Sequence, residues 1–256
     1  MLLAQLSDLH VSLPGSQADV DHQAAARLER AVAHVCGLDP RPDAVVLTGD
    51  LVNDGEPGEY ARLLALLAPL PMPVYALPGN HDDREQLRAA FLARGYLPEL
   101  GPLCYAVDVG PLRLLALDTH VPGQPSGRLG AQQLAWLQAR LAEAPGRPTL
   151  LLMHHPPFRT GIRGMDEGMG LADAEALAEV VRHHPQVERV LCGHLHRPIV
   201  KRFAGTVALT CPSTMHQLQL DLREQGRLAL VPEPPALQLH LWREELGLVS
   251  HLAYVS

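Results

Sequence analysis

Short runs of apolar residues alternate along the chain with longer stretches in which apolar residues recur every three or four positions. The short runs are rich in Leu and Val and end in Asp, Gly or His, a pattern typical of buried strands. They cover residues 2–8, 44–50, 73–79, 113–118, 149–154 and 189–193. The longer stretches predict helices near residues 19–36, 58–67, 83–94, 131–143 and 173–183. Because strands and helices alternate, an α/β fold is predicted.

From residue 206 onward the pattern changes to an alternation of apolar and polar residues, which is typical of strands with one buried face. Turns are indicated at Gly226 and in the Pro-rich run 232–235. The predicted strands cover residues 206–212, 216–222, 227–232, 236–242 and 248–255. We therefore expect an α/β region that leads into a more antiparallel C-terminal sheet.

Polar residues of unusual type follow five of the six predicted strands of the α/β region. These clusters are Asp8-Leu9-His10, Gly49-Asp50, Gly79-Asn80-His81-Asp82, His154-His155 and Gly193-His194-Leu195-His196. Ligands of α/β sheets bind at the carboxyl ends of strands, where these clusters fall. Any one cluster is compatible with an ordinary turn or helix cap, but stability alone does not require so many His beside Asp and Asn. The set therefore predicts a functional site.

The donor atoms of these clusters indicate a metal centre. Oxygen and imidazole donors without a thiolate favour Zn, Mn, Fe or Co. The candidate ligands are Asp8, His10, Asp50, Asn80, His154, His194 and His196. They outnumber the ligands of one tetrahedral ion, so two divalent ions that share a bridging Asp are the simplest arrangement. Such a pair is a suitable host for an anionic phosphate ester.

Composition narrows the class of protein. The 256 residues include 28 acidic and 21 basic side chains, a formal net charge of −7, without a basic run. This argues against binding to duplex nucleic acid. The apolar stretch 63–77 is interrupted by three Pro residues, the N-terminus lacks the features of a signal peptide, and the four Cys show no metal-binding spacing. We expect a cytoplasmic protein that does not bind membranes.

The order D-x-H, G-D, G-N-H-D, H-H and G-H-x-H resembles that of the calcineurin-like metallophosphoesterases. The segments TGDL (48–51), PGNHDD (78–83), MHHPP (153–157), GHLHRP (193–198) and CPSTMHQ (211–217) are similar to the bacterial branch of class III cyclic nucleotide phosphodiesterases and glycerophosphodiesterases. The resemblance implies a four-layer α/β/β/α sandwich with two mixed sheets. It implies one domain over 1–256, with a metal-binding core over 1–205. Strands in 206–256 would complete the second sheet or form an oligomer contact.

The resemblance also implies roles for individual residues. The first metal ion would be held by Asp8, His10, Asp50 and His196. The second would be held by Asp50, Asn80, His154 and His194, with Asp50 as the bridge. Catalytic roles fall to Asp50 and to His81, which would contact the phosphate and protonate the leaving alkoxide. Asn80, His81, Asn53 and His216 are the expected substrate-binding residues, and His155 is expected to orient the site.

Other residues receive ordinary interpretations. We expect His22, His34, His183 and His184 at the surface, and His240 and His251 on the solvated face of their strands. His120 is a weaker candidate for the border of the site. Asp82 and Asp83 are expected to cap a helix, and Cys192 and Cys211 to be buried.

The resulting hypothesis is a dinuclear metal-dependent phosphodiesterase in which a metal-bound hydroxide attacks phosphorus. Small phosphodiesters of the glycerophosphodiester type, or a broad range of diesters, are the expected substrates, and 3′,5′-cyclic nucleotides are the alternative. A phosphomonoesterase, a nuclease and a non-catalytic scaffold are less favoured. The aromatic content of 4% offers few rings for base stacking, and Tyr105, Phe158 and Phe203 are the candidates near the site. The resemblance further implies a homodimer or larger homo-oligomer.

Overall fold

A computed structural model describes residues 1–255 of the chain. The strands are β1 Leu2–Leu6, β2 Ala44–Thr48, β3 Val74–Leu77, β4 Tyr105–Val109, β5 Leu112–Ala116, β6 Thr149–Leu152, β7 Val187–Cys192, β8 Val200–Phe203, β9 Thr206–Thr210, β10 Gln217–Leu218, β11 Leu230–Val231, β12 Ala236–Arg243 and β13 Gly247–Tyr254. The helices are α1 Gln17–His22, α2 Ala24–Gly37, α3 Pro57–Leu67, α4 Arg84–Phe91, α5 Gly130–Ala142, α6 Arg163–Asp166 and α7 Ala174–Arg182, with a 3₁₀ turn at Leu92–Arg94. Among these residues no helix is both long and apolar enough to span a membrane.

Most of the strands form two mixed sheets. The first sheet has the order β13-β12-β1-β2-β3, in which β1, β2 and β3 are parallel and the two C-terminal strands are antiparallel. The second has the order β4-β5-β6-β7-β9-β8, with a parallel centre and antiparallel edges. Strands β10 and β11 form a separate two-stranded ribbon. The central strands read as continuous apolar runs because both faces of each sheet are covered.

Successive side chains of β5 and β6 point to opposite faces of the sheet and so pack in two different apolar cores. Leu114 and Leu150 belong to the core that the second sheet shares with the first sheet and with α2, α3 and α4. Their neighbours Leu115 and Leu151 face the opposite way, into a core completed by α5 and α7. This gives the predicted succession of helices, sheet, sheet and helices.

Three of the predicted elements differ from the structure. The helix predicted over 19–36 is two helices, because Gln23 adopts a left-handed conformation with φ of 52°. Helix α1 buries no residue, whereas α2 buries an apolar face, so only α2 is held by packing. The strands predicted over 216–222 and 227–232 shrink to the two-residue strands β10 and β11.

The sequence pattern also missed two edge strands, β4 and β8. Their side chains are largely exposed or partly exposed, so they lack the apolar runs that revealed the central strands. The C-terminal strands are divided between the two sheets, and a contribution of 206–256 to an oligomer contact stays a prediction. Strand β9 pairs with β7, but β12 and β13 extend the first sheet beside β1. The single-domain organisation over 1–256 stays a prediction.

His240 on β12 is fully buried, not solvated as its alternating strand predicted. The second sheet covers this face, and buried polar groups supply the partners that the ring requires. Nε2 of His240 lies 3.0 Å from Oε1 of Gln5, and Nδ1 lies 2.8 Å from Oγ of Ser250. Burial, followed by the charges of Arg189 and His251, lowers the pKa of His240 to about 3.

This environment predicts acid sensitivity that a His240→Gln variant should lack. The pKa of His240 is about 3 in the folded chain against an ordinary value of 6.5, so acid protonates only the unfolded state in that interval. The wild-type free energy of unfolding should therefore fall, relative to the variant, by about 1.4 kcal/mol per pH unit below pH 6. Urea unfolding between about pH 4 and pH 8 measures the difference. The exposed His183→Gln is the control, and parallel wild-type and His240→Gln curves would contradict the prediction.

Candidate metal centre

The polar clusters predicted from sequence meet where the carboxyl ends of the two sheets face each other. Asp8 follows β1, while His154 and His194 follow β6 and β7 of the other sheet. The backbone N–H of His194 donates to both carboxylate oxygens of Asp8, at 3.0 and 3.1 Å. Gly193 N–H donates to the carbonyl of His154 at 3.0 Å. The loops from both sheets therefore form one connected structure.

Four of the predicted ligands gather into a first set. Asp8, His10, Asp50 and His196 are all buried or nearly so, and one donor atom from each lies within 4.8 Å of the others. Nε2 of His10 lies 3.2 Å from Nε2 of His196 and 3.7 Å from Oδ2 of Asp50. Nε2 of His196 lies 3.4 Å from Oδ1 of Asp8. Donor atoms converging in this way on one point fit a divalent cation.

A second set lies on the other side of Asp50. Nε2 of His154 lies 3.3 Å from Oδ2 of Asp50 and 3.2 Å from Oδ1 of Asn80. The ring of His194 lies 5.0 Å, centre to centre, from the ring of His154. Oδ2 of Asp50 thus faces His10 of one set and His154 of the other, which is the place of a ligand shared by two ions.

Hydrogen bonds behind the ligands determine which ring nitrogens face the centre. Nδ1 of His154 bonds the carbonyl of Thr48 at 2.8 Å, and Nδ1 of His196 bonds the carbonyl of His216 at 2.8 Å. In each of these two rings Nε2 is then the nitrogen available to a metal ion. In His194 the order is reversed: Nε2 bonds the carbonyl of Met169 at 2.9 Å, and Nδ1 is the nitrogen available to a metal ion.

His155 lies within reach of His154 and His194, and the three form a possible metal-binding group. Its own nitrogens are both engaged, Nδ1 with Oγ1 of Thr119 at 2.8 Å and Nε2 with the carbonyl of Pro125 at 3.2 Å. This geometry favours the orienting role predicted for His155 over ligation.

The backbone is strained where the ligands sit. A left-handed conformation, rare for residues other than Gly, occurs at five of the predicted ligands. These are Asp8, His10, Asp50, His194 and His196, with φ of 54°, 45°, 50°, 71° and 46°. Each costs about 1 kcal/mol or more and persists only where the surroundings enforce it. Such clustering is typical of functional sites.

Three glycines of the motifs lie so close to neighbouring residues that a side chain would not fit. A Cβ at Gly49 would overlap the ring of His154, and one at Gly79 would overlap the carboxylate of Asp50. A Cβ at Gly193 would overlap Oγ of Ser7 and approach Asp8. The residue before Asp50, Asn80 and His194 must therefore be Gly, because these loops pass directly against side chains of neighbouring loops.

Burial and the pairing of Asp50 with His154 determine the pKa values of the side chains at the centre. Burial lowers the pKa of His10 well below its ordinary value and that of His194 to about 3, so both rings are neutral. Burial opposes the charged form of Asp50, but His154 outweighs it and holds the pKa of Asp50 well below its usual range. Burial opposes the charge on His154 too, yet Asp50 raises its pKa to about 9. A cation at the centre would displace that proton.

A cavity of about 390 Å³ opens onto both sets of ligands. The cavity is lined by three of the residues that were predicted to bind substrate: Asn53, Asn80 and the exposed His81. Nδ1 of His81 lies 2.8 Å from the carbonyl of Asn53, and the backbone N–H of His81 donates to Oδ1 of Asp50 at 2.9 Å.

His216 is not among the described residues that line this cavity, and its role in binding substrate stays a prediction. Its carbonyl holds His196, and its side chain turns to His22, with Nε2 lying 2.8 Å from Nδ1 of that ring. His22 itself is half-buried and lines the cavity, although α1 was expected to leave it at the surface. No local pattern reveals His22, because only the fold brings α1 to the segment after β9.

Asp82 does not cap the helix, which corrects its predicted role. Asp83 caps α4, whereas buried Asp82 accepts the N–H of Leu51 at 3.1 Å and of Gly79 at 2.8 Å and so joins two ligand loops. Burial, followed by the charge of Asp50, raises the pKa of Asp82 to about 7.

His120 is buried but is not among the residues that line the cavity.

The sequence is similar to that of known phosphoesterases. A family profile described as calcineurin-like phosphoesterase matches residues 1–198. The chain is 34% identical over 255 residues to a probable glycerophosphodiester phosphodiesterase GpdQ of Arcobacter nitrofigilis, covering 100% of this chain and 93% of the relative. It is 34% identical over 240 residues to the 3′,5′-cyclic adenosine monophosphate phosphodiesterase CpdA of Pseudomonas aeruginosa, covering 94% of this chain and 86% of the relative.

Solved structures confirm the predicted fold. A dimetal phosphatase from Danio rerio aligns with a TM-score of 0.64 at 15% identity, covering 100% of this chain and 99% of that one. At such low identity the likeness concerns the fold alone.

The steric role of Gly79 predicts that Gly79→Ala weakens metal binding. The added Cβ would displace the carboxylate of Asp50, so affinity for Zn²⁺ or Mn²⁺ should fall about tenfold or more. Equilibrium dialysis with elemental analysis measures this. The control is Gly146→Ala, where a Cβ meets no atom within 4 Å. Unchanged affinity in a folded Gly79→Ala protein would refute the steric argument.

Proposed function

Since the chain belongs to the calcineurin-like phosphoesterase family, in its bacterial class III branch, we propose that it hydrolyses small phosphodiesters at a centre of two divalent metal ions. The observation that carries the proposal is the position of Asp50. One oxygen of its carboxylate lies 3.7 Å from Nε2 of His10 and 3.3 Å from Nε2 of His154, between two sets of donors. Two ions a few ångströms apart suit the transfer of a phosphoryl group.

The proposed ligands follow the two sets. Asp8, His10, Asp50 and His196 would hold one ion; Asp50, Asn80, His154 and His194 would hold the other. The donors are oxygens and imidazole nitrogens, which suit Fe, Mn, Zn or Co. When bound, the ions supply Lewis acidity and lower the pKa of water.

His81 is the residue that we assign to the leaving group. The bond from its Nδ1 to the carbonyl of Asn53 fixes the ring, and the ring stands 4.7 Å, centre to centre, from that of His10. Its exposure leaves the other edge of the imidazole open to substrate in the cavity. An alkoxide leaves poorly unless it is protonated, so a proton from Nε2 of His81 would assist this step.

Asn80, Asn53 and His216 complete the proposed set around the substrate. Asn80 and Asn53 face the cavity, where an amide can donate to a phosphoryl oxygen. His216 supports His196 through its carbonyl, and we assign it a positioning role.

The preferred substrates are glycerophosphodiesters or a broader range of small diesters. Relatives named for glycerophosphodiesters and for cyclic nucleotides match at similar identity, and therefore 3′,5′-cyclic nucleotides are the second candidate. No Phe, Tyr or Trp is found among the described residues lining the cavity, which favours the first candidate.

The remaining features belong to the same proposal. The chain would be one domain over 1–256 that acts in the cytoplasm as a homodimer or larger homo-oligomer. A net charge of −7 supports a small-molecule substrate over nucleic acid.

The bridging role of Asp50 is tested by Asp50→Asn. This change keeps the volume of the side chain but removes the charge and one oxygen, so metal content should fall and diester hydrolysis should drop about 100-fold or more. Metal-free protein reconstituted with Mn, Zn, Co or Fe is assayed on a glycerophosphodiester, a cyclic nucleotide, an aryl diester and an aryl monoester. Asp54→Asn, at an exposed position of a nearby loop, is the control. Full turnover by Asp50→Asn, or a wild type that prefers the monoester, would overturn the proposal.

The role of His81 predicts dependence on the leaving group. His81→Ala should lower kcat for a diester with an alkoxide leaving group about 100-fold, since general acid catalysis contributes about that much or more. A nitrophenolate needs little protonation, so its release should slow far less. Metal content should match that of the exposed His183→Ala control. Equal losses for both leaving groups would show that His81 is not the proton donor.

A further inference from the structure

Six apolar side chains line the cavity beside the metal centre. They come from the loop that contains α6, from the segment after β9, and from β10 and β11 with the residues just before β11. They are Met165, Met169, Met215, Leu218, Leu228 and Leu230. We refer to these six residues as the Met–Leu wall. Because it shares one cavity with His10, Asp50 and His194, whatever binds at the metals also meets this wall.

Contacts with the ligands place the wall directly beside the centre. The carbonyl of Met169 accepts Nε2–H of His194 at 2.9 Å. The backbone N–H of Leu218 donates to the carbonyl of His196 at 3.3 Å. Two residues of the wall are therefore bonded through their backbone to two proposed metal ligands, which holds the wall next to the centre.

The ribbon presents leucine side chains to solvent. Leu228 is 40% exposed and Leu230 is 51% exposed, although both border a cavity lined with ionisable groups. Single exposed leucines are common, but two that line a cavity together with four other apolar side chains form a surface that an apolar ligand can cover. Burying one methylene there contributes about 0.8 kcal/mol.

We propose that the Met–Leu wall binds the ester arm that stays on phosphorus, so that the preferred substrates are phosphodiesters whose retained arm is aliphatic. This inference rests on the proposed phosphodiesterase function. The leaving arm lies towards His81, and the retained arm lies along the wall. Three of the six side chains are Met, whose flexible thioethers adapt to arms of different shape. Aliphatic chains fit this surface better than a nucleobase, because none of the six side chains of the wall offers a flat ring for stacking.

The reaction itself is ordinary hydrolysis. The oxygen of water forms the new bond to phosphorus, and the P–O bond to the leaving arm breaks with its electron pair on that oxygen. The leaving oxygen takes a proton, and the other proton of water is released. The products are an alcohol and a phosphate monoester that carries the aliphatic arm.

A series of alkyl diesters with one fixed leaving group tests the inference. With 4-nitrophenyl esters of methyl, butyl and octyl phosphate, kcat/KM should rise by up to about fourfold per methylene, until the chain extends past the wall. Binding of alkylphosphonates of the same lengths, measured by calorimetry on metal-loaded protein, should tighten in parallel. This second readout does not depend on turnover.

Two variants and a matched control locate the effect. Leu228→Gln and Leu230→Gln should flatten the dependence of kcat/KM on chain length, so that the ratio of kcat/KM for the octyl ester to that for the methyl ester falls towards one. Leu220→Gln is the control, because Leu220 is 55% exposed on the same segment but is absent from the cavity lining. A flat series in the wild type, an equal effect of Leu220→Gln, or a preference for a 3′,5′-cyclic nucleotide over the octyl ester would overturn the inference. Failure to hydrolyse any diester would instead contradict the proposed function.

Discussion

The metal centre depends on a polar junction between the carboxyl ends of two sheets. Asp8, which follows the first sheet, receives the backbone N–H of His194, which follows the second, at 3.0 and 3.1 Å. Beneath this contact the buried amide of Gln5 donates to Oγ1 of Thr48 at 2.9 Å and, across the sheets, to the carbonyl of Cys192 at 3.0 Å. Thr48 in turn holds His154. Because these groups are buried, leaving one without a hydrogen bond would cost about 1–3 kcal/mol. These bonds therefore hold the two sheets in one relative position.

This junction explains the strain and the glycines around it. Ligands that follow strands of two sheets can converge only if the loops turn sharply and pass close to one another. The left-handed backbone at Asp50 and the missing Cβ at Gly79 are two results of that crowding. A strained backbone persists only where packing and hydrogen bonds hold it in place. Here the bonds from the backbone N–H of His194 to Asp8 and from that of Leu51 to Asp82 hold the ligand loops. Stability is thus given up locally to place the donor atoms.

The chemistry of the cavity follows from two unlike groups of lining residues. One group is a set of donors for divalent cations, and such cations would attract a phosphoryl group even though the chain has a net charge of −7. The other is the Met–Leu wall, which offers burial of apolar area and no charge. A diester spans both, because its phosphorus carries the charge and its arms carry the bulk. The metals would therefore determine the reaction and the wall the choice of arm.

Sequence patterns were enough to predict the α/β class, the central strands and the ligand candidates. Buried strands leave apolar runs, and the chemistry of Asp, Asn and His is local to their motifs. The mixed two-sheet sandwich came from the family resemblance, which the structural comparison confirms. Tertiary structure alone decided the burial of His240, the place of His22 in the cavity, the edge strands β4 and β8, and the union of β12 with the first sheet. These depend on which distant segments cover a face, and a periodic pattern records only that a face is apolar, not what lies against it.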